Sequence, residues 1–146
     1  MSMKEQQEKL VDTMKRWQKI ENASVKSTAE VIAGTDNPIV RLIMEIIQSD
    51  SQMHYRVQEL IANSLEKSPL TLTPDEVGKV WGMIEKHIEL EKKTVELASE
   101  AIEATKGSKM MVVQRYLLEY LLADETKHNK VLADLENIKR DMYPYA

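Results

Sequence analysis

The chain has 146 residues, 42% of them hydrophobic and 30% charged, a balance typical of one soluble globular domain. Its net charge of -4 predicts no nucleic-acid partner, and the lack of about 18 consecutive apolar residues predicts a cytoplasmic protein without a membrane partner. Cysteine is absent, which excludes disulfides, thiol catalysis, zinc–thiolate sites and iron–sulfur clusters.

Apolar residues recur at alternating three- and four-residue spacing in four long stretches, which predicts four helices. The predicted helices cover residues 3–33, 38–66, 74–105 and 108–141. Asn37 is the expected N-cap of the second helix, and Thr73 with Glu76 forms an expected capping box at the start of the third. The sequence therefore predicts an all-α four-helix bundle that forms one domain over residues 1–146.

The two halves of the chain repeat each other. An offset of 70 residues places the first helix on the third, and an offset of 74 places the second on the fourth. The matched pairs are Glu21 and Glu91, Ser24 and Thr94, Asp50 and Asp124, and His54 and His128. We therefore expect two helical hairpins of one design, over residues 3–66 and 74–141.

Two charged pairs away from the centre of the helices also repeat. Arg41 with Glu45 recurs as Arg115 with Glu119. A four-residue spacing places both members of a pair on one helix face, so we expect exposed ion pairs at these positions.

Polar residues interrupt the apolar seam near the middle of every helix. They are Glu21, Asp50, His54, Glu91, Asp124 and His128. Buried carboxylates without partners are costly, so these must meet cations or become protonated. Two metal ions bound by carboxylates and imidazoles from four helices would supply that charge.

This arrangement resembles the ferritin-like superfamily, in particular the helical domain of rubrerythrin-type proteins. That family uses one Glu from each of the first and third helices and Glu-x-x-His from each of the other two. The resemblance implies one or two iron ions, or another divalent metal, held by Glu21, His54, Glu91, Glu125 and His128. It also implies that Asp124 orients His54 and that Asp50 orients His128.

The match has one departure, because Ser51 stands where the second helix should carry the glutamate that corresponds to Glu125. The resemblance thus implies a degenerate di-metal centre, with oxidase, peroxidase or iron-handling activity in which iron cycles while O₂ or peroxide is reduced. The electron donor would be external, because the chain has no cysteine-based electron-transfer domain.

The alternative is a metal-free bundle with a buried Asp–His cluster that serves as a dimerisation or partner-binding module. In it, Asp50 pairs with His128 and Asp124 with His54. His87, one turn before Glu91, either replaces the missing ligand or is simply a packed or partly exposed residue. In ferritin-like bundles the connection between the second and third helices crosses the length of the bundle. The ten residues from 64 to 73 are short for such a crossover, so an up-down-up-down topology is also open. A homodimer is compatible with either function.

Overall fold

The computed structural model describes residues 1–142, and four helices account for most of them. The helices are α1 (Met3–Ala33), α2 (Pro38–Glu66), α3 (Pro74–Ala104) and α4 (Val112–Met142). No strand occurs within this range, so the predicted all-α, four-helix class is confirmed. None of these helices contains a stretch long and apolar enough to cross a bilayer.

Each half of the chain is an antiparallel pair of helices. α1 packs against α2, here called hairpin 1, and α3 packs against α4, here called hairpin 2. The chain divides into two compact units between Leu70 and Thr71, and this boundary lies in the linker that separates the hairpins. The predicted hairpin repeats are confirmed, while their assembly into one domain over residues 1–146 stays a prediction.

Polar side chains at the helix starts satisfy backbone amides that have no partner inside the helix. Ser2 and Glu5 form a capping box at α1, and Thr73 and Glu76 form the predicted one at α3. At α2, the side chain of Asn37 accepts hydrogen bonds from two backbone amides, as predicted. These local signals explain why the first three helices begin where the sequence predicts.

The start of α4 differs from the prediction by four residues, because α4 begins at Val112 and not at Ser108. Gly107 has a φ of 76°, a left-handed conformation that favours glycine and ends helical winding. Ser108 then accepts a hydrogen bond from the amide of Met110 and contributes a carbonyl to a contact with Arg115. The residues expected in the first turn of α4 thus form the turn of hairpin 2.

In each hairpin, one arginine of the second helix contacts the turn that precedes it. Arg41 Nη1 donates hydrogen bonds to the carbonyls of Ile32 and Thr35. In hairpin 2, Arg115 Nη2 donates to the carbonyls of Thr105 and Ser108. The last carbonyls of a helix lack intrahelical partners, so a guanidinium stabilises this end. The structure places both guanidinium groups at these carbonyls and not against Glu45 and Glu119, so the predicted surface ion pairs are wrong.

The buried stripe of hairpin 1 is partly polar. Its buried residues are Met14, Gln18, Glu21, Thr28, Ser51, Gln58 and Ala62. Leu10, Trp17 and Val31, which belong to the alternating three- and four-residue pattern of α1, are exposed. Within hairpin 1, the line of contact between α1 and α2 thus includes Glu21 but not Leu10, Trp17 or Val31.

The arginine contact in hairpin 2 predicts a measurable loss of stability in Arg115→Ala. This variant leaves the Thr105 and Ser108 carbonyls without a charged donor, so we expect the free energy of unfolding to fall by about 1–3 kcal/mol. Urea denaturation measures the change. The control is Arg16→Ala, which removes an exposed pair with Asp12 and should cost less than about 1 kcal/mol. Equal effects of the two variants would contradict this role.

Candidate metal centre

Three ligand-type side chains converge in hairpin 2. Glu91 lies on α3, and Glu125 and His128 lie on α4, and each has one ligand atom within 4.8 Å of the others. His128 Nδ1 is 3.4 Å from Glu91 Oε2 and 3.6 Å from Glu125 Oε2. Carboxylate oxygens and an imidazole nitrogen at these separations are donors that one cation can contact together.

The helical spacing explains why these groups meet. Glu125 and His128 are three residues apart, so they project from one face of α4. Glu91 is buried on the facing stripe of α3, where it is 9% exposed. The side-chain amide of Asn129 donates to the backbone carbonyl of Glu91 at 3.2 Å, which holds the two helices together at this level.

Each of the three side chains also has an outer polar partner. The Thr94 hydroxyl donates to Glu125 Oε2 at 2.7 Å, and His87 Nε2 lies 2.9 Å from Glu91 Oε1. Asp124 Oδ2 is 3.3 Å from His128 Nε2, which leaves His128 Nδ1 toward the two glutamates. Partners of this kind fix the orientation of metal-ligating groups.

Asp124 therefore contacts the histidine of its own helix in hairpin 2, and Lys127 Nζ lies 2.7 Å from its other oxygen. The predicted contacts of Asp124 with His54 and of Asp50 with His128 would each join the two hairpins, and they stay predictions. Asp50 is half-buried on α2.

The electrostatics of hairpin 2 centre on Glu91. Its Oε2 atom is buried without a hydrogen-bond partner. The pKa of Glu91 lies below its usual value of 4.5, with the neighbouring Glu125 as the largest cause and with further contributions from His87 and His128, while burial acts in the opposite direction. Glu91 is thus an anion at neutral pH.

Hairpin 1 contains a reduced version of the same cluster. Glu21 is 7% exposed, its Oε2 lacks a hydrogen-bond partner, and His54 Nδ1 lies 3.6 Å from this oxygen. Ser51 occupies the position of Glu125, and its hydroxyl is 2.8 Å from the hydroxyl of Ser24. This hydroxyl pair corresponds, by the two offsets of the repeat, to the contact of Thr94 with Glu125 in hairpin 2.

The five predicted ligands thus form two groups, Glu21 with His54 and Glu91 with Glu125 and His128. Their union in one di-metal centre stays a prediction. Sequence reasoning missed the role of Thr94 as a donor to Glu125, although the alignment of Ser24 with Thr94 was a signal that a hydroxyl belongs at this level.

Comparisons of the chain with protein-family models, with curated proteins and with solved structures find no match. The resemblance to ferritin-like proteins therefore rests on the repeated residues of the two hairpins. Any function has to be argued from the geometry of the side chains described above.

The lowered pKa of Glu91 predicts a pH dependence of stability in metal-free protein. Because the folded-state pKa is below the unfolded value, the stabilisation is complete above about pH 4.5 and is lost as the pH falls through the folded-state value. We expect the free energy of unfolding, measured with urea in EDTA, to fall more steeply below pH 4.5 in the wild type than in Glu91→Gln.

The control for this measurement is Glu89→Gln, because Glu89 is an exposed residue of the same helix. Its stability should follow the wild-type pH profile. Parallel profiles for Glu91→Gln and the wild type would show that Glu91 has the same pKa in both states and would contradict the prediction.

Proposed function

We propose that this protein binds a divalent transition metal, with iron as the expected ion, and that hairpin 2 provides the principal site through Glu91, Glu125 and His128. One observation supports this above all others. The Oε2 atom of Glu91 is buried without a hydrogen bond and faces His128 Nδ1 at 3.4 Å, with Glu125 beside both. A cation at this point would balance a carboxylate that burial otherwise penalises.

The chemistry of the donors favours a limited set of metals. Two carboxylates and one imidazole suit Fe²⁺, Mn²⁺ and Zn²⁺, whereas the soft ion Cu⁺ prefers thiolate or thioether ligands. Three protein ligands are fewer than the four of closed structural sites, so positions on the ion stay open to water or a small substrate. An open site of this kind is suited to reaction as well as to structure.

The finer proposal is a ferritin-like protein, in which Glu21 and His54 of hairpin 1 contribute to a second, weaker metal position. Bound iron supplies one-electron chemistry, with O₂ or peroxide as the oxidant and an external electron donor. Reduction of one hydrogen peroxide to two waters takes two protons and two electrons, one from each of two ferrous ions. Efficient oxidation therefore requires the second metal position, whereas simple iron binding does not. Ser51 weakens this position, because its hydroxyl replaces a carboxylate.

The alternative of a metal-free structural cluster is supported by the His54–Glu21 and His128–Glu91 pairs, which lie at ion-pair distances. In that case the protein is a dimerisation or partner-binding module, and the buried groups fix the register of the helices. The two functions differ in a simple observable, because only the metal-binding protein loses stability when a chelator is added.

Calorimetric titration of EDTA-treated protein with Mn²⁺, or with Fe²⁺ under anaerobic conditions, tests the principal site. We expect one strongly bound ion per chain. Loss of an outer hydrogen-bond partner typically weakens metal binding about 10–100-fold. His128→Ala and Glu91→Gln each remove a direct ligand and should weaken binding of this ion by more than that. His54→Ala makes the same change at the matched position of hairpin 1 and should leave this ion in place. Unchanged binding in both hairpin 2 variants would refute the site.

Ser51→Glu tests the second position. The Ser24 hydroxyl, 2.8 Å from that of Ser51, is placed to donate to the introduced carboxylate as Thr94 does to Glu125. We expect the iron stoichiometry to rise toward two per chain and ferrous oxidation to become faster. The variant should be less stable than the wild type in EDTA and more stable with iron, because the added acid then has a cation.

Thermal unfolding with and without metal measures these effects, with Ser27→Glu, an exposed position on α1, as the control for added charge. Equal destabilisation of Ser51→Glu in both conditions, without a gain of iron, would support the metal-free cluster.

A further inference from the structure

A histidine outside the ligand group contacts the central glutamate of hairpin 2. His87 lies one turn before Glu91 on α3, and its Nε2 atom is 2.9 Å from Glu91 Oε1. The imidazole is itself 57% exposed, whereas the carboxylate that it reaches is buried. In hairpin 1 the matched position holds Trp17, so this contact distinguishes the two halves of the repeat.

We propose that His87 is a positioning residue of the hairpin 2 metal site: its Nε2–H group donates to Glu91 Oε1 and fixes Glu91 as a ligand through Oε2 alone. This inference rests on the proposed function, since it assigns a role toward the same ion.

The two oxygens of Glu91 have different surroundings, which is the basis of the assignment. Oε1 is the atom in contact with His87. Oε2 is buried, lacks a hydrogen-bond donor and lies 3.4 Å from His128 Nδ1, on the side where the other ligand atoms converge. An ion held by both oxygens would have to displace His87, so the contact favours binding through a single oxygen. One more position on the ion then stays open.

The direction of the hydrogen bond follows from the charge on Glu91. An ionised carboxylate oxygen only accepts, and Glu91 Oε1 lies 2.9 Å from His87 Nε2. His87 Nε2 must then carry the proton, and a protonated ring nitrogen has no lone pair for a metal. His87 is therefore an outer partner of Glu91 and does not bind the ion through Nε2.

Zn²⁺ titration of metal-free protein tests the role with paired substitutions. His87→Ala removes the donor and should weaken Zn²⁺ binding by about 10–100-fold, as for other outer partners of metal ligands. His87→Gln places an amide N–H near the same position and should restore most of the affinity. Lys86→Ala, at the adjacent exposed position of α3, should bind Zn²⁺ like the wild type. The urea midpoint of each variant in EDTA separates loss of binding from loss of folding.

NMR of ¹⁵N-histidine-labelled protein distinguishes a positioning residue from a ligand. The chain has three histidines, so a His54→Ala background leaves only His87 and His128. With one equivalent of Zn²⁺, we expect His128 to show a metal-bound Nδ1 and His87 to keep the proton on Nε2. Two metal-bound imidazoles would overturn the proposal, because His87 would then be a direct ligand.

The outcomes separate this inference from the proposed function. If the wild type binds Zn²⁺ and His87→Ala binds it equally well, only the role of His87 is wrong. The role is also wrong if His87→Gln is as weak as His87→Ala, since hydrogen-bond donation is then not the cause. If the wild type itself binds neither Zn²⁺ nor Mn²⁺, the metal site and the role of His87 are both refuted.

Discussion

A carboxylate held between two packed helices must be balanced by a donor or a cation, and Glu91 places this requirement at the centre of hairpin 2. Its Oε2 atom is buried without a hydrogen bond, while Glu125 and His128 bring their ligand atoms to the same point. Thr94 donates to Glu125, and His87 contacts the other oxygen of Glu91, so both glutamates have a polar partner outside the ligand group. The local structure is thus organised around one buried carboxylate, and a metal ion would balance its charge.

The internal repeat shows which parts of this design are general and which are specific to one half. Both hairpins use an arginine to hold the end of their first helix, and both place a glutamate near a histidine on the facing helix. The halves differ where Ser51 replaces a carboxylate and Trp17 stands in the place of His87. In hairpin 1, the buried Glu21 contacts only the imidazole of His54, so this half has fewer metal-ligand atoms than hairpin 2. This difference explains why we assign the stronger site to hairpin 2.

The sequence predicted the helices well because their boundaries depend on local chemistry. Asn37 and Thr73 cap their helices through contacts a few residues away, and such contacts are visible in a pattern. The start of α4 follows the left-handed Gly107 and a turn in which Ser108 accepts from the amide of Met110, and periodicity does not reveal such a turn. The ligand group was an implication of the resemblance to ferritin-like proteins, and Glu125 is not among the polar residues that the seam alone indicated. The partners of Glu91 and Glu125 depend on side-chain rotamers and on the proton of His87, so the sequence did not predict them.

The most direct test of the metal site is the position of anomalous scattering in crystals of the protein grown with Zn²⁺ and recorded at the zinc absorption edge. The account predicts a peak about 2.0–2.2 Å from Glu91 Oε2, from one oxygen of Glu125 and from His128 Nδ1. It also predicts that the His87 ring stays outside bonding distance of the ion. Zinc-grown crystals without a peak at these three atoms, and with Glu91 in direct contact with His128, would contradict the account.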